Sequence, residues 1–366
     1  MRVLFHTRPD HDLRPGGDGV VIEALGERLT SLGLQVDLSS ATDADLAGYD
    51  AVHLFNLELI PHTFLQAANA RRQGRPYLVT PIYWTPSEST PPRSYLQPER
   101  TVRLLLPDRV VDWLSLAAAC RGSPGGVRAL AELPSRSRQS LRASVLAGAT
   151  RVFASCEAER RRLLRDFPTL TPEKVVVARF GYRAARAEAP TVALPEPGYF
   201  LCVGAFGPRK NQLNLARALR GVPGARIVFV GGASPRTERY RRAVEAAAAP
   251  GSLFLPAQPR GALPAFYAGA RAVVQPSFIE LPGLVAMEAA ASLRSVVTSD
   301  HEPAREYLDG LVTFADPASP ESIRQACLSA EAARPEDAAR FVAEHEWARV
   351  AKPVEEAYLS MAASSS

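Results

Sequence analysis

Lysine is nearly absent from this chain of 366 residues: Lys174, Lys210 and Lys352 are its whole complement, and the rest of its 43 basic side chains are arginine. So strong a bias makes each surviving lysine a candidate for a specific task. Cysteine is also scarce. Cys120, Cys156, Cys202 and Cys327 lie far apart and never in C-x-x-C spacing, which argues against a disulfide framework or a zinc site and suits a reducing compartment. No apolar run nears the roughly 20 residues that span a bilayer. The opening Met1-Arg-Val-Leu-Phe-His6 reads as a buried strand rather than a leader, because polar residues follow at once. The P-loop, the G-x-S-x-G elbow and the G-x-G-x-x-G fingerprint are all missing, which removes the chemistries that depend on them. The expected setting is cytoplasmic, with peripheral contact at the inner membrane face left open.

Hydrophobic content of 46% and charged content of 22% are those of a folded globular protein. The length suits two domains. A net charge of +5 favours anionic partners, nucleotide phosphates and acidic glycans among them. The arginines between Arg93 and Arg151 lack interleaved aromatics and read as a solvated basic face, so no nucleic acid is expected.

Short β-rich runs alternate with helical stretches, the pattern of parallel sheets covered by helices. The first half offers strands at Val3–His6, Leu34–Leu38, Ala51–Phe55, Tyr77–Thr80, Arg151–Ala154 and Lys174–Ala178. The second offers Tyr199–Val203, Arg226–Val230, Ser252–Leu255, Ala272–Gln275 and Ser295–Thr298. Helices are expected over Val20–Leu32, Gln212–Leu219, Arg236–Ala247 and Leu263–Ala268. The predicted fold is α/β, two Rossmann-like doubly wound domains facing across a cleft. Residues 1–183 form the first domain, with a loop and helical insertion at about 85–150 marked by the Pro- and Ser-rich Thr85–Gln97 and by Val110–Ala119. Residues 184–198 form a linker and 199–340 the second domain. Residues 341–366 form a helical tail, kinked at Pro353, that crosses back to the first.

The richest segment is Pro276-Ser-Phe-Ile-Glu280-Leu-Pro-Gly283-Leu284-Val-Ala-Met-Glu288. A strand ends just before it and a helix opens near Gly283, where backbone N–H groups and the helix dipole favour an anion. Glu288, about a turn and a half into that helix, suits the two hydroxyls of a ribose, and Glu280 on the preceding loop would meet the next group outward. By spacing alone, a solvated loop carboxylate and a helix carboxylate are equally good descriptions. Gly16-Gly17-Asp18-Gly19 precedes the first helix and offers a cap at Asp18 and open backbone for a diphosphate or an acceptor. Asp43-Ala-Asp45 has the spacing of a metal-binding acidic pair but sits where acidic residues commonly cap helices. His53 is expected to pack at a strand end.

Pro276-Ser277-x-x-Glu280-x7-Glu288-Ala289, preceded by Phe266-Tyr267-x-x-Ala270, resembles the donor-site signature of retaining family-4 (group 1) glycosyltransferases of the GT-B fold, in a bacterial branch. The likeness extends to Val203-Gly204-x4-Arg209-Lys210-Asn211-Gln212, Val230-Gly231-Gly232, Ser299-Asp300, Gly16-Gly17-Asp18 and Tyr49-Asp50 through Asn56. It implies transfer of a sugar from a UDP- or GDP-type nucleotide donor to a glycan or other hydroxyl acceptor, with retention at the anomeric carbon and without a metal or other cofactor. It implies that Glu280 and Lys210 are catalytic, and that Arg209, Lys210, Glu280, Gly283, Leu284 and Glu288 hold the donor. Gly16, Gly17 and Asp18 then form the acceptor and phosphate loop. The sequence departs from the family pattern at three places. Ala205 stands where a second cation is usual, Tyr83-Trp84 follow the fourth strand where a histidine is usual, and Phe180 replaces an asparagine. These departures keep open a degenerate, non-catalytic binding or scaffold protein, and a nucleotide-sugar epimerase or phosphorylase is a further alternative.

Overall fold

The computed structural model describes residues 1–8, 16–58, 60–85, 137–235 and 237–364. Most of the expected insertion, including Val110–Ala119 and Cys120, therefore lies outside the described residues, as does much of the Arg93–Arg151 stretch. The chain divides into two units. Of the described residues, unit 1 takes those up to Gly181 together with those from Trp347 onward, and unit 2 takes Tyr182–Glu346.

In unit 1, six strands make one parallel sheet: β1 (Arg2–His6), β2 (Gln35–Ser39), β3 (Ala51–Phe55), β4 (Tyr77–Thr80), β5 (Arg151–Ala154) and β6 (Val175–Val177). Their order is β2-β1-β3-β4-β5-β6. Side chains alternate between the two faces. Leu4, Val52, Leu54, Val79 and Val152 pack against Ala67 and Ala70 of α2 (Ile60–Arg72), Leu141 and Val145 of α3 (Arg138–Gly148), and Leu163 of α4 (Glu157–Asp166). Val3, Phe5, Phe55, Leu78 and Phe153 face the other way, onto Ile22, Leu25 and Leu29 of α1 (Gly17–Ser31).

That second face is completed by the end of the chain. Where one helix kinked at Pro353 was expected, three occur after residue 334: α11 (Pro335–Glu344), α12 (Trp347–Val350) and α13 (Lys352–Ser364). Pro353 falls in the first turn of α13, where its missing N–H costs no intrahelical bond, so it starts a helix instead of kinking one. Val354 and Tyr358 of α13 pack on Phe5, Phe55 and Phe153. Arg28 binds Glu355 through two nitrogens at 2.7 and 3.3 Å. His53 stacks on Phe55 with ring centroids 4.3 Å apart. Its Nδ1 lies 2.8 Å from the Tyr358 hydroxyl and its Nε2 2.9 Å from Thr80 Oγ1.

Unit 2 carries β7 (Tyr199–Val203), β8 (Ile227–Val230), β9 (Leu253–Leu255), β10 (Ala270–Gln275), β11 (Val296–Ser299) and β12 (Thr313–Ala315), again all parallel, in the order β12-β11-β10-β7-β8-β9. Its helices are α5 (Gln212–Leu219), α6 (Glu238–Ala247), α7 (Leu263–Gly269), α8 (Leu284–Ala291), α9 (Glu302–Leu308) and α10 (Pro320–Ser329), with α11. β12 was not expected from the sequence. Residues 184–198 contain neither helix nor strand, but they are strapped to unit 2. The Thr191 N–H donates to Gln258 Oε1 at 2.8 Å and the Gly198 N–H to the Gly269 carbonyl at 2.8 Å.

Strand order reverses between β7 and β10 in unit 2 and between β1 and β3 in unit 1. In open α/β sheets, the crevice beyond the strand ends at such a reversal is where ligands bind.

Candidate functional site

The reversal in unit 2 places two loops side by side. β7 runs into Gly204 and the single turn Pro208–Lys210; β10 runs into residues 276–283 and then α8. Asn211, fully buried and in the left-handed region (φ 59), ties these loops together. Its Nδ2 donates to the carbonyls of Pro276 at 2.8 Å and Pro317 at 2.7 Å. The Phe278 N–H donates to the Arg209 carbonyl at 2.8 Å. Gln212 anchors the first loop from below, its Nε2 donating to the Ala205 carbonyl at 3.0 Å.

Held in this way, Lys210 Nζ donates to Glu280 Oε2 at 2.6 Å. Burial pushes the Glu280 carboxyl up, but Lys210, and Arg209 after it, more than reverse that and hold it below the usual carboxylate range. The group is therefore an anion at neutral pH. Gly204 (φ +142) sits where an added Cβ would lie 3.6 Å from Lys210 Cε, and a Cβ on Gly231 would land on the Gly204 carbonyl oxygen. Two glycines thus let β7 and β8 close together beneath the lysine stem.

Gly283, at φ 99, precedes α8, and a Cβ there would lie 3.0 Å from Glu280 Cγ. α8 has no acidic residue in its first turn, and Leu284 begins it, so the first backbone N–H groups are available to an external anion. Glu288, one and a half turns on, is already engaged. Arg260 Nε donates to its Oε1 at 2.8 Å, Arg260 Nη2 lies 2.7 Å from the same oxygen, and the Tyr267 hydroxyl donates to Oε2 at 3.1 Å.

In unit 1 the reversal between β1 and β3 carries Gly16, Gly17 and Asp18. The expected cap at Asp18 is corrected: Gly16 is the N-cap residue, and Gly17 and Asp18 already lie in the first turn of α1. From there the Asp18 carboxylate binds Arg8 Nε at 3.0 Å and accepts from Asn56 Nδ2 at 3.4 Å. A Cβ on Gly16 would come within 2.7 Å of Asp18 Oδ1, so a larger residue here would have to push the Asp18 carboxylate aside.

Residues 186–345 match the Glycosyl transferases group 1 family. A 139-residue stretch is 34% identical to the D-inositol 3-phosphate glycosyltransferase of Mycobacteroides abscessus, covering 37% of this chain and 29% of that protein. This chain thus spans less than a third of that relative's length. Solved structures match over nearly the whole chain. Sucrose-phosphate synthase from Thermosynechococcus elongatus has a TM-score of 0.72 at 16% identity, with 99% of each chain covered. HepE of Anabaena in complex with UDP has a TM-score of 0.63 at 14% identity, covering 98% of this chain and 100% of that one. A glycosyltransferase from Rickettsia africae has a TM-score of 0.64 at 13% identity, with 98% of each covered. The fold is α/β and GT-B-like, two domains each built on a parallel six-stranded sheet.

Within the group 1 segment, Arg209, Lys210, Glu280, Gly283, Leu284 and Glu288 all belong to the two loops and the helix at the strand-order reversal. Gly16, Gly17 and Asp18 belong to unit 1. Arg260, Tyr267 and Asn211 had no assigned role in the sequence, although Phe266-Tyr267 and Asn211 stand inside quoted motifs. No such signal marks Arg260, which comes from a one-turn element 28 positions before its partner.

Tyr83 and Trp84 are packed side chains. Tyr83 lies against Phe167 with centroids 5.3 Å apart and Arg162 covers the Trp84 ring at 4.4 Å. Below them Glu159, fully buried, accepts from the Tyr83 N–H, the Ser155 N–H and Ser155 Oγ, each at 2.6 Å. Asp45 Oδ1 accepts from the Ala47 N–H at 3.0 Å, a local turn contact. Among the described residues, no cluster of His, Cys, Asp or Glu could hold a metal ion, and no helix is long and apolar enough to cross a membrane.

Proposed function

We propose that this chain is a glycosyltransferase of the retaining family-4 kind. It moves a sugar from a UDP- or GDP-type donor to an acceptor hydroxyl without a metal. The observation that carries this reading is the Lys210–Glu280 pair at 2.6 Å, set between the ends of β7 and β10 and beside the open start of α8. An ammonium has three donors. One holds Glu280, and the others are directed to the diphosphate. The bond from the anomeric carbon to the phosphate oxygen breaks, and the negative charge it leaves is met by Lys210 and the α8 N–H groups, with Arg209 adding to the field. The acceptor oxygen bonds to the same carbon on the same face, and its proton passes to the departing phosphate. Glu280, an anion, cannot supply that proton; it accepts hydrogen bonds from the sugar. Glu288 takes the ribose. Lys210 and the helix start supply the positive charge a metal would otherwise bring, and Gly16, Gly17 and Asp18 serve the acceptor side. Among the described residues, three buried cysteines, Cys156, Cys202 and Cys327, form no disulfide, which suits a reducing cytoplasm.

One observation favours a second reading, a protein that binds nucleotide sugars without turnover. Ala205 is exposed where the resemblance calls for a second cation. Thermal-shift titration with UDP-, GDP- and ADP-sugars, followed by product analysis with a panel of hydroxyl acceptors, separates the two. Transfer predicts a shift with one donor class and a product whose anomeric configuration matches the donor. A shift with no product or hydrolysis supports the binding protein, and no shift with any donor removes both.

A further inference from the structure

The Glu288 carboxylate is crowded. An ionised carboxyl group offers about four acceptor positions. Arg260 faces Oε1 with two nitrogens at 2.8 and 2.7 Å, and Tyr267 fills one position on Oε2 at 3.1 Å. About one position remains, whereas a ribose brings two hydroxyls. The side chain is also only 12% exposed, so there is little room to add a ligand beside the existing ones.

Arg260 is not isolated from the rest of unit 2. Its Nη2 also donates to the Arg183 carbonyl at 3.1 Å. The next residue, Gly261, exchanges bonds with the strap that follows Arg183: Glu188 N–H donates to the Gly261 carbonyl at 3.1 Å and Gly261 N–H to Glu188 Oε2 at 3.1 Å. A Cβ on Gly261 would land on the Arg186 carbonyl oxygen, so this strap lies directly on the one-turn element that carries Arg260. Residues 183–188 follow immediately on the passage of the chain from unit 1 to unit 2.

We propose that Arg260 is a displaceable internal ligand of Glu288, which nucleotide binding removes from Oε1, and that its removal loosens the 183–188 strap. The inference rests on the assignment of Glu288 to the ribose. It adds a coupling: occupancy of the nucleotide site is reported to the strap through one arginine. Tyr267 competes for the other oxygen, but its hydroxyl touches nothing in the strap, so only Arg260 transmits the change.

The test uses the full chain, UDP and GDP as ligands, calorimetric affinities and amide hydrogen exchange, with Glu188 and Gly261 N–H as reporters. In the wild type, nucleotide should speed exchange at both reporters. Arg260→Met keeps the length of the side chain and removes its donors. It should bind nucleotide roughly fivefold tighter, the scale of one partly exposed charged hydrogen bond no longer broken, with both reporters fast before ligand is added. Tyr267→Phe frees a position on Oε2 while leaving Arg260 in place. It should also bind tighter, but without the ligand-induced loss of protection, and so stands as a check if Arg260→Met folds poorly. Weaker or unchanged binding by Arg260→Met, or reporters indifferent to nucleotide in a wild type that binds it, overturns the inference and leaves the transferase reading intact. Failure of the wild type and both variants to bind either nucleotide overturns both.

Discussion

Unit 1 should lose stability in mild acid, and two buried histidines set the size of the loss. His53 and His6 are both fully buried. Burial lowers His53 from 6.5 to about 3, and His6 from 6.5 to about 4 against the small opposing pull of the Ser39 carbonyl. Above about pH 6.5 neither state of the chain binds a proton at these rings. Between about pH 6.5 and 4 the unfolded chain binds two that the folded chain refuses, so stability falls with pH by about 2.7 kcal/mol per unit. By about pH 5 the loss is about 4 kcal/mol, a large part of the stability of an ordinary domain. Burial raises the Glu159 carboxyl, which acts in the opposite sense, so one curve does not isolate the histidines. A difference between two proteins does. His53→Phe keeps a ring against Phe55 but cannot take a proton, and it strands the Tyr358 and Thr80 hydroxyls. Absolute stability will therefore drop, and the diagnostic quantity is the slope. Urea titrations at several pH values between about 7.5 and 5, followed by tryptophan fluorescence, read unit 1 through Trp84 and Trp347. The expected slope in His53→Phe is about half that of the wild type. An unchanged slope, or a wild type whose stability is flat across the range, would refute the assignment.

Three further outcomes are expected. Lys210→Ala should lower kcat by about a hundredfold or more, because the lysine is placed to meet charge that develops in the reaction, and should also lower the melting temperature, because it strands the Glu280 carboxylate; a rate within a fewfold of the wild type removes its role. Gly231→Ala should destabilise unit 2 by about 2 kcal/mol or more, since its Cβ meets the Gly204 carbonyl and not a movable side chain, and chemical denaturation followed by far-ultraviolet circular dichroism would show it. Tyr358→Phe should cost about 1 to 2 kcal/mol through the lost partner of His53 Nδ1, and a neutral result would mean that the ring alone holds α13 in place.

Strands were legible as short segments of four or five residues in which apolar side chains predominate. Ala51–Phe55, Tyr77–Thr80, Arg151–Ala154 and Tyr199–Val203 coincide with their observed bounds. β12 was not, because Thr313–Ala315 is too short to show either alternation or a run. Glu159 shows the opposite failure. In Glu157-Ala-Glu-Arg-Arg-Arg162 it looks like one more solvated charge, and only the fold reveals that two backbone N–H groups and a serine converge on it. The candidate site divides in the same way. Glu280, Gly283 and Glu288 sit within nine residues and advertise themselves. Lys210 lies 70 residues from Glu280, and Arg260 lies 28 from Glu288. Those pairings are products of strand order, which spacing along a chain does not encode.

The last helix has a consequence for how the protein is made. Among the described residues unit 2 is one run, Tyr182–Glu346, and all of it is synthesised before α13. Unit 1 is begun first, yet the bond between His53 and Tyr358 spans 305 positions and that between Arg28 and Glu355 spans 327. Until those residues emerge, Phe5, Phe55 and Phe153 lie on an apolar face that α1 covers only in part, the kind of surface on which nascent chains aggregate or recruit chaperones. The half encoded first is thus the half that finishes folding last.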